Sequence, residues 1–332
     1  MNNKLNWGII GTGQIANRFA QSLPESETGR LVAVGSRSEA SASAFASKFS
    51  CRSHGSYEAL LADPGIDAVY ISTPHPWHAE WAIKAAEAGK HILCEKPLAM
   101  SHEEAAKVIE AARRNDVFLM EAFMYRCHPQ TVKLIELIRN NAIGEVRMVR
   151  ATFSFSSQMN PKSRLFSPSL GGGGILDVGC YCASMARLVA GAATGKTFEE
   201  PLEFNGLGQL GPESGVDEFA VASAKFPAGI VAQLACGVRL DLESNVRISG
   251  SEGSILVPNP WTFDLSSGFS KILIFKKGIP DEVIIEESRS TYSVEADHVA
   301  EMIPARQSPA MSWADSLGNM KLLDAWRTAV GN

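Results

Sequence analysis

Close to the start of the chain, residues 5–11 read as a short buried strand that runs directly into the motif Gly11-Thr12-Gly13-Gln14-Ile15-Ala16. Beyond it Ile15, Phe19 and Leu23 recur at helical spacing. No other feature restricts the fold so tightly, because a strand that must turn at once into a helix leaves room for little except a β-turn-α unit. Gly11 permits the bend, Gly13 lets backbone approach a pyrophosphate, and the small Ala16 lets the helix pack on a sheet. The free N–H groups and dipole at the helix start favour an anion there. The motif predicts a dinucleotide site, with Gln14 and Ile15 in the turn that meets the phosphates.

The segments that follow keep to the same alternation. Strands are expected at residues 30–36, 68–73, 91–95 and 117–120, with helices at 38–49, 57–62 and 77–88 between them. Another helix opens at Ser101, where Glu104 completes a capping-box pattern. The strands are continuous apolar runs, the signature of a parallel sheet covered on both faces. After Glu121 the pattern changes. One helix, at residues 130–140, gives way to strands at 146–157, 202–208, 218–226, 230–240, 246–249, 254–257, 271–276 and 283–287. These predict one large, mostly antiparallel sheet, followed by helices from about Val294 and over 313–329. The expected class is α/β, with a doubly wound parallel sheet in residues 1–123 and a second α/β domain with a large open sheet in residues 124–332.

Composition narrows the function. A net charge of −5 over 332 residues argues against a nucleic-acid footprint, which needs a clustered basic surface. No apolar run approaches the roughly 20 residues that span a bilayer, so no membrane partner is expected. Met1-Asn2-Asn3-Lys4 leads straight into a strand, which predicts no cleavable leader. The six cysteines (Cys51, Cys94, Cys127, Cys180, Cys182 and Cys236) show no C-x-x-C spacing. Metal and disulfide frameworks are both poor readings, no metal is expected, and a reducing cytoplasm fits best.

The end of the second strand separates the two nicotinamide dinucleotides. An NAD site usually places a carboxylate there for the ribose 2′-hydroxyl. This chain has Gly35-Ser36-Arg37-Ser38, with no carboxylate before Glu39. Ser36 and Arg37 offer hydrogen bonds and charge to a 2′-phosphate, which favours NADP while leaving NAD possible. Thr73-Pro74-His75-Pro76-Trp77-His78 follows the next long strand at the carboxyl edge, where such sheets bind ligands. Thr73, Pro74 and His75 are candidates for cofactor contact; His78 is either a contact or a packing and capping residue. Glu95-Lys96-Pro97 ends a further strand at the same edge, and Pro97 biases Lys96 toward an extended conformation. That aims the Lys96 ammonium at the cofactor crevice, with Glu95 beside it.

Downstream, Gly171-Gly172-Gly173-Gly174 precedes a segment in which Asp177 and Tyr181 stand four apart. If that segment is helical, they share one face a turn apart, and four glycines would let backbone come close to a ligand. GTGQIA, TPHPWH, EKP, MEAFMYRCHPQ (residues 120–130), GGGGILDVGCY (171–181) and the ending from ADHVAEMI at 296 together resemble the Gfo/Idh/MocA family, named for glucose–fructose oxidoreductase, inositol dehydrogenase and MocA. Tyr181, where many members carry His, is similar to the branch holding dimeric dihydrodiol dehydrogenase and NADP-dependent D-xylose 1-dehydrogenase. The resemblance implies a Rossmann domain, an open sheet packed against another subunit in a homodimer or larger homo-oligomer, catalytic roles for Lys96 and Tyr181, and a substrate-positioning role for Asp177.

The chemistry follows from the residue types. A substrate hydroxyl between Tyr181 and Lys96 loses or gains its proton at Tyr181 as a hydride moves. A free tyrosine titrates at about 10, and a nearby cation favours the phenolate. Met124 and Arg126 follow the last parallel strand and are candidates for substrate contact, with Arg126 equally placed to pair with Glu121. Arg164 is a candidate contact for an anion or hydroxyl. Phe153 and Phe155 read as core or interface. The leading expectation is an NADP-dependent dehydrogenase acting on a sugar-like polyol. A dihydrodiol or sugar-nucleotide substrate is the alternative, and an NADP sensor without catalysis is a third, disfavoured by the intact Lys96, Asp177 and Tyr181.

Overall fold

A computed structural model describes residues 4–261, 268–277 and 279–331. The chain divides into two units, residues 1–127 with 289–317, and residues 128–288 with 318–332.

The first unit carries a six-stranded sheet of β1 (Leu5–Ile10), β2 (Gly29–Gly35), β3 (Arg52–His54), β4 (Ala68–Ile71), β5 (His91–Glu95) and β6 (Leu119–Ala122). All neighbours are parallel, in the order β3-β2-β1-β4-β5-β6. The helices of this part are α1 (Gln14–Ser22), α2 (Glu39–Phe49), α3 (Tyr57–Leu61), α4 (His78–Glu87), α5 (His102–Arg114) and α6 (Met124–Cys127). β4 is buried along its length and β1 and β5 over their carboxyl-terminal parts, which is why these strands read as apolar runs. Phe19 of α1 is fully buried, stacked on Tyr70 at 4.0 Å with Trp7 edge-on at 5.4 Å. Truncating such an anchor costs about 3–5 kcal/mol. Strand order reverses between β1 and β4, and Gly11, Ser36, Thr73 and Lys96 all lie just past carboxyl ends of strands. That edge, at the switch point, is where open α/β sheets take ligands.

The expected boundary at 123/124 assigns residues 289–317 to the second domain, whereas they pack with the first unit. Ser290 caps α9 (Thr291–Met302) and accepts from Ser22 Oγ at 2.6 Å. Asp297 accepts from the Ser26 and Thr28 hydroxyls, each at 2.6 Å, and Arg306 holds Asp116 at 2.7 Å. The partners stand about 190–270 residues apart in sequence, so no local pattern marks them.

The second unit is built on eight strands, β7 (Val146–Ser154), β8 (Glu203–Leu210), β9 (Asp217–Lys225), β10 (Val231–Gly237), β11 (Val246–Gly250), β12 (Ser254–Val257), β13 (Phe269–Lys276) and β14 (Ile279–Glu286). Their order is β14-β13-β12-β11-β7-β10-β9-β8, antiparallel throughout except for the β7·β10 pair. α7 (Pro129–Arg139) and α8 (Cys180–Ala193) complete it, with α8 lying over β7 and β10. The last helix, α10 (Trp313–Val330), begins in the first unit and ends in the second. β9 shows the sheet's two faces: Ala220, Ala222 and Ala224 point inward, while Phe219, Val221 and Ser223 point out. Among the described residues the stretch Pro168–Ala193 is long and apolar enough to cross a membrane, and its most apolar part is buried as core.

Candidate active site

In the first unit the dinucleotide turn has the shape its glycines predict. Gly11 sits at φ +106°, and a Cβ there would stand 3.1 Å from Ser72 Oγ. Gly13 is the N-cap of α1, and the space a Cβ would enter is open for 4 Å around. A glycine cap offers no side chain to the first-turn N–H groups, and that turn carries no acidic residue. Gln14 is exposed, Ile15 half-buried, and Ala16 fully buried beneath them. The arrangement fits a pyrophosphate.

Past β2, Ser36 is buried and its N–H donates to the His54 carbonyl at 3.1 Å. Arg37 is exposed, its guanidinium 5.5 Å over the Trp77 ring. Ser38 is occupied as the N-cap of α2. At the end of β4, Thr73 Oγ1 is buried with no hydrogen-bond partner among the described residues. A buried hydroxyl without a partner is costly unless a ligand supplies one. Pro74 caps the turn His75–Trp77, and His75 is buried with its ring 5.6 Å from that of His78.

His78 is a brace. Its Nδ1 lies 2.8 Å from the Pro97 carbonyl and its Nε2 2.7 Å from the Thr73 carbonyl, tying the loop after β4 to the loop after β5. The second loop is held twice more. The Lys96 N–H donates to Glu95 Oε2 at 3.2 Å, and the Leu98 N–H donates to Glu121 Oε1 at 2.9 Å. Glu95 also accepts from the Tyr70 hydroxyl. Lys96 is half-buried, and its bond to Pro97 is cis. Beyond β6, Met124 is half-buried, while Arg126 is buried against Asp315 at 3.1 Å and donates to the Tyr125 hydroxyl at 3.0 Å. Its ion-pair partner is therefore Asp315, with Glu121 near enough to add to the same field.

In the second unit the segment holding Asp177 and Tyr181 is helical, but residues Ile175–Gly179 form a π-helical turn before it continues as α8. Such turns are rare and are frequent at functional sites. Asp177 lies within it, and Tyr181 follows in the first turn of α8. Arg164, from the turn Arg164–Phe166, donates to Asp177 Oδ1 at 2.7 Å. The pair offers both donors and acceptors without net charge. Tyr181 is only 4% exposed. Its ring lies 5.2 Å from Phe153 and 5.7 Å from Trp261, both near edge-on, while Phe153 and Trp261 stack at 5.7 Å. Trp261 had no local sequence signal, since more than one hundred residues separate it from Phe153. The glycines at 172–174 face protein: a Cβ would stand 2.6 Å from the Leu165 carbonyl at Gly172 and 2.2 Å from Asp217 Oδ1 at Gly173.

A cavity of about 500 Å³ lined by Lys4, Leu5, Glu27, Thr28, Asp67, Ala300 and Glu301 lies at the amino ends of β1, β2 and β4, the edge of this sheet opposite Gly11 and Lys96. Among the described residues no group of three or more His, Cys, Asp or Glu side chains gathers to hold a metal.

The family model described as an oxidoreductase family with NAD-binding Rossmann fold matches residues 5–123, and that of the GFO/IDH/MocA C-terminal domain matches residues 131–256. The chain is 36% identical over 338 residues to a trans-1,2-dihydrobenzene-1,2-diol dehydrogenase of Danio rerio, covering 98% of this chain and 97% of the relative. It is 32% identical over 322 residues to a D-xylose 1-dehydrogenase (NADP(+)) of Haloferax volcanii, covering 96% and 95%. A crystal structure of a 3-ketoreductase from Actinomadura kijaniata in complex with NADP and TDP-benzene superposes with a TM-score of 0.87 at 28% identity, covering 99% of this chain and 98% of that one.

Proposed function

The chain belongs to the GFO/IDH/MocA oxidoreductase family, and from that premise we propose that it is an NADP-dependent dehydrogenase or reductase acting on a hydroxyl or carbonyl of a sugar-like polyol. The observation that carries this reading is the Arg164–Asp177 pair one turn from Tyr181. A neutral, doubly hydrogen-bonding pair beside a buried phenol suits a neutral substrate with neighbouring hydroxyls.

When bound, the nicotinamide accepts or returns the hydride. The chain's own residues do the rest. Gly11, Gly13 and the open start of α1 receive the pyrophosphate, with Gln14 and Ile15 in that turn. Ser36 and Arg37 recognise the 2′-phosphate, Thr73 Oγ1 donates to the cofactor, and Pro74, His75, His78 and Glu95 shape and hold its loops. In oxidation, Tyr181 accepts the hydroxyl proton as the carbon gives up its hydride. Lys96 supplies the cation that makes the phenolate accessible near neutrality. Asp177 and Arg164 orient the remaining hydroxyls, with Met124 bordering the substrate side, while Arg126 is held in its buried ion pair with Asp315. Phe153 and Trp261 exclude water from the Tyr181 ring.

That aromatic wall also favours the second reading, a trans-dihydrodiol substrate, which the Danio rerio relative's name supports. Following nicotinamide absorbance with NADP⁺ and NAD⁺ across aldoses, inositols and trans-diols decides between them. Turnover with an aldose and NADP⁺ is expected; turnover restricted to diols supports the second reading. The open sheet face is proposed to pair with a second copy of the chain. The supporting observation is apolar exposure along that face at Leu207, Phe219, Val221, Val231 and Met148. Six free thiols, four of them buried, fit a reducing compartment such as the cytoplasm.

A further inference from the structure

We infer that Asp217 is a positioning residue: its buried carboxylate clamps the glycine-rich turn that sets where Asp177 and Tyr181 stand. The inference rests on the role proposed above for Tyr181.

Asp217 opens β9 and is fully buried. Its Oδ2 accepts the Ile175 N–H at 2.6 Å, a short bond of the charge-assisted kind. Ile175 is the first residue of the π-helical turn. Its N–H has no earlier helical carbonyl to serve it, and a carboxylate there also suits the helix dipole. The other oxygen, Oδ1, lies against Gly173. A Cβ at Gly173 would stand 2.2 Å from it, and φ there is +106°. Only glycine fits both the angle and the contact.

On the opposite side, the Gly173 N–H donates to the Leu165 carbonyl at 3.0 Å. The turn is thus held between Asp217 and the segment carrying Arg164, and Arg164 in turn holds Asp177. The glycine run admits this close protein packing instead of a ligand's approach. One buried acid therefore fixes the start of the helix from which both proposed site residues project. Asp217 touches neither of the reacting groups in this scheme; it acts through the backbone.

Asp217→Ala removes both contacts, and Asp217→Asn keeps an oxygen acceptor of the same shape. Hydrogen exchange of peptides spanning residues 173–181 reads the clamp without any substrate. Exchange there is expected to accelerate at least tenfold in Asp217→Ala and to return toward wild type in Asp217→Asn, with residues 5–36 unchanged. Turnover on any accepted substrate is expected to fall at least tenfold in Asp217→Ala, with cofactor KM unchanged and most of kcat recovered in Asp217→Asn. Asp217→Ser, too short to reach Ile175, gives the same reading should the alanine variant not fold. Unchanged exchange in the truncated variants overturns the inference, as does an asparagine variant no better than alanine. If Tyr181→Phe retains turnover while the exchange result holds, the reading of Tyr181 fails and the clamp stands.

Discussion

We propose that coenzyme choice turns on Arg37. It stands exposed past β2, over Trp77, with buried Ser36 beside it and no carboxylate in the strand end itself. A charge-assisted contact to a 2′-phosphate is worth about 1.5–3 kcal/mol. Arg37→Ala is therefore expected to lower kcat/KM for NADP⁺ by about 10-fold or more and to leave that for NAD⁺ nearly unchanged, measured by initial rates with each coenzyme. Equal losses with both would show that Arg37 acts on the fold. At this scale the sequence was legible wherever chemistry sits in a short motif. Gly11, Gly13 and Lys96 lie where their motifs predict, past strand ends. Arg126 was legible only as an alternative, because its partner Asp315 is 189 positions away, and Asp217 and Trp261 carried no local mark. His78 resolves toward bracing, since both ring nitrogens face carbonyls of the loops that flank it.

At the scale of elements, the parallel strands announced themselves because burial on both faces enforces continuous apolar runs. β3 escaped notice because it is three residues long and wholly polar, with two of the three exposed. The π-helical turn was equally hidden: the Asp177–Tyr181 spacing suits α and π geometry alike, and the choice is made by contacts of the glycine run with Asp217 and Leu165. The eight-stranded sheet was visible as the run of strands after Glu121, and in/out alternation along those strands exposes its outer face. Leu207 of β8 sits opposite Val221 of β9, at 73% and 50% exposure. If a second copy covers this face, placing charges on its apolar patch must split the assembly. Leu207→Arg combined with Val221→Arg is expected to turn a dimer or larger oligomer into a folded monomer by light scattering. An unchanged mass would move the interface elsewhere.

For the whole molecule, two buried carboxyls leave a signature in stability. Burial pushes Glu121 up to about 7, despite hydrogen bonds from Ser316 and Leu98. Glu295 is fully buried with no hydrogen-bond partner for either oxygen among the described residues, and burial with nearby Glu95 raises it well above the usual range. The unfolded chain releases these protons near the ordinary glutamate value of 4.5. Above that pH the folded state binds more protons than the unfolded one, so stability falls as pH rises. For Glu121 the loss is complete once pH passes about 7. Glu121→Gln keeps an acceptor for the Leu98 N–H and cannot ionise. Urea unfolding at pH about 8 is expected to find it more stable than wild type by up to ~3 kcal/mol, with little difference at pH about 5. A variant that keeps the wild-type pH slope would remove Glu121 as its source.

We propose that Lys96 and Tyr181 serve one proton transfer. A double-mutant cycle on kcat, with Lys96→Met, Tyr181→Phe and their combination, separates a shared step from two independent ones. Each single change is expected to lower kcat by about 100-fold with NADP binding intact. The combination is expected to be little worse than the more damaging single change. Losses that multiply to about 10⁴-fold, or near-normal turnover in Tyr181→Phe, would contradict the account.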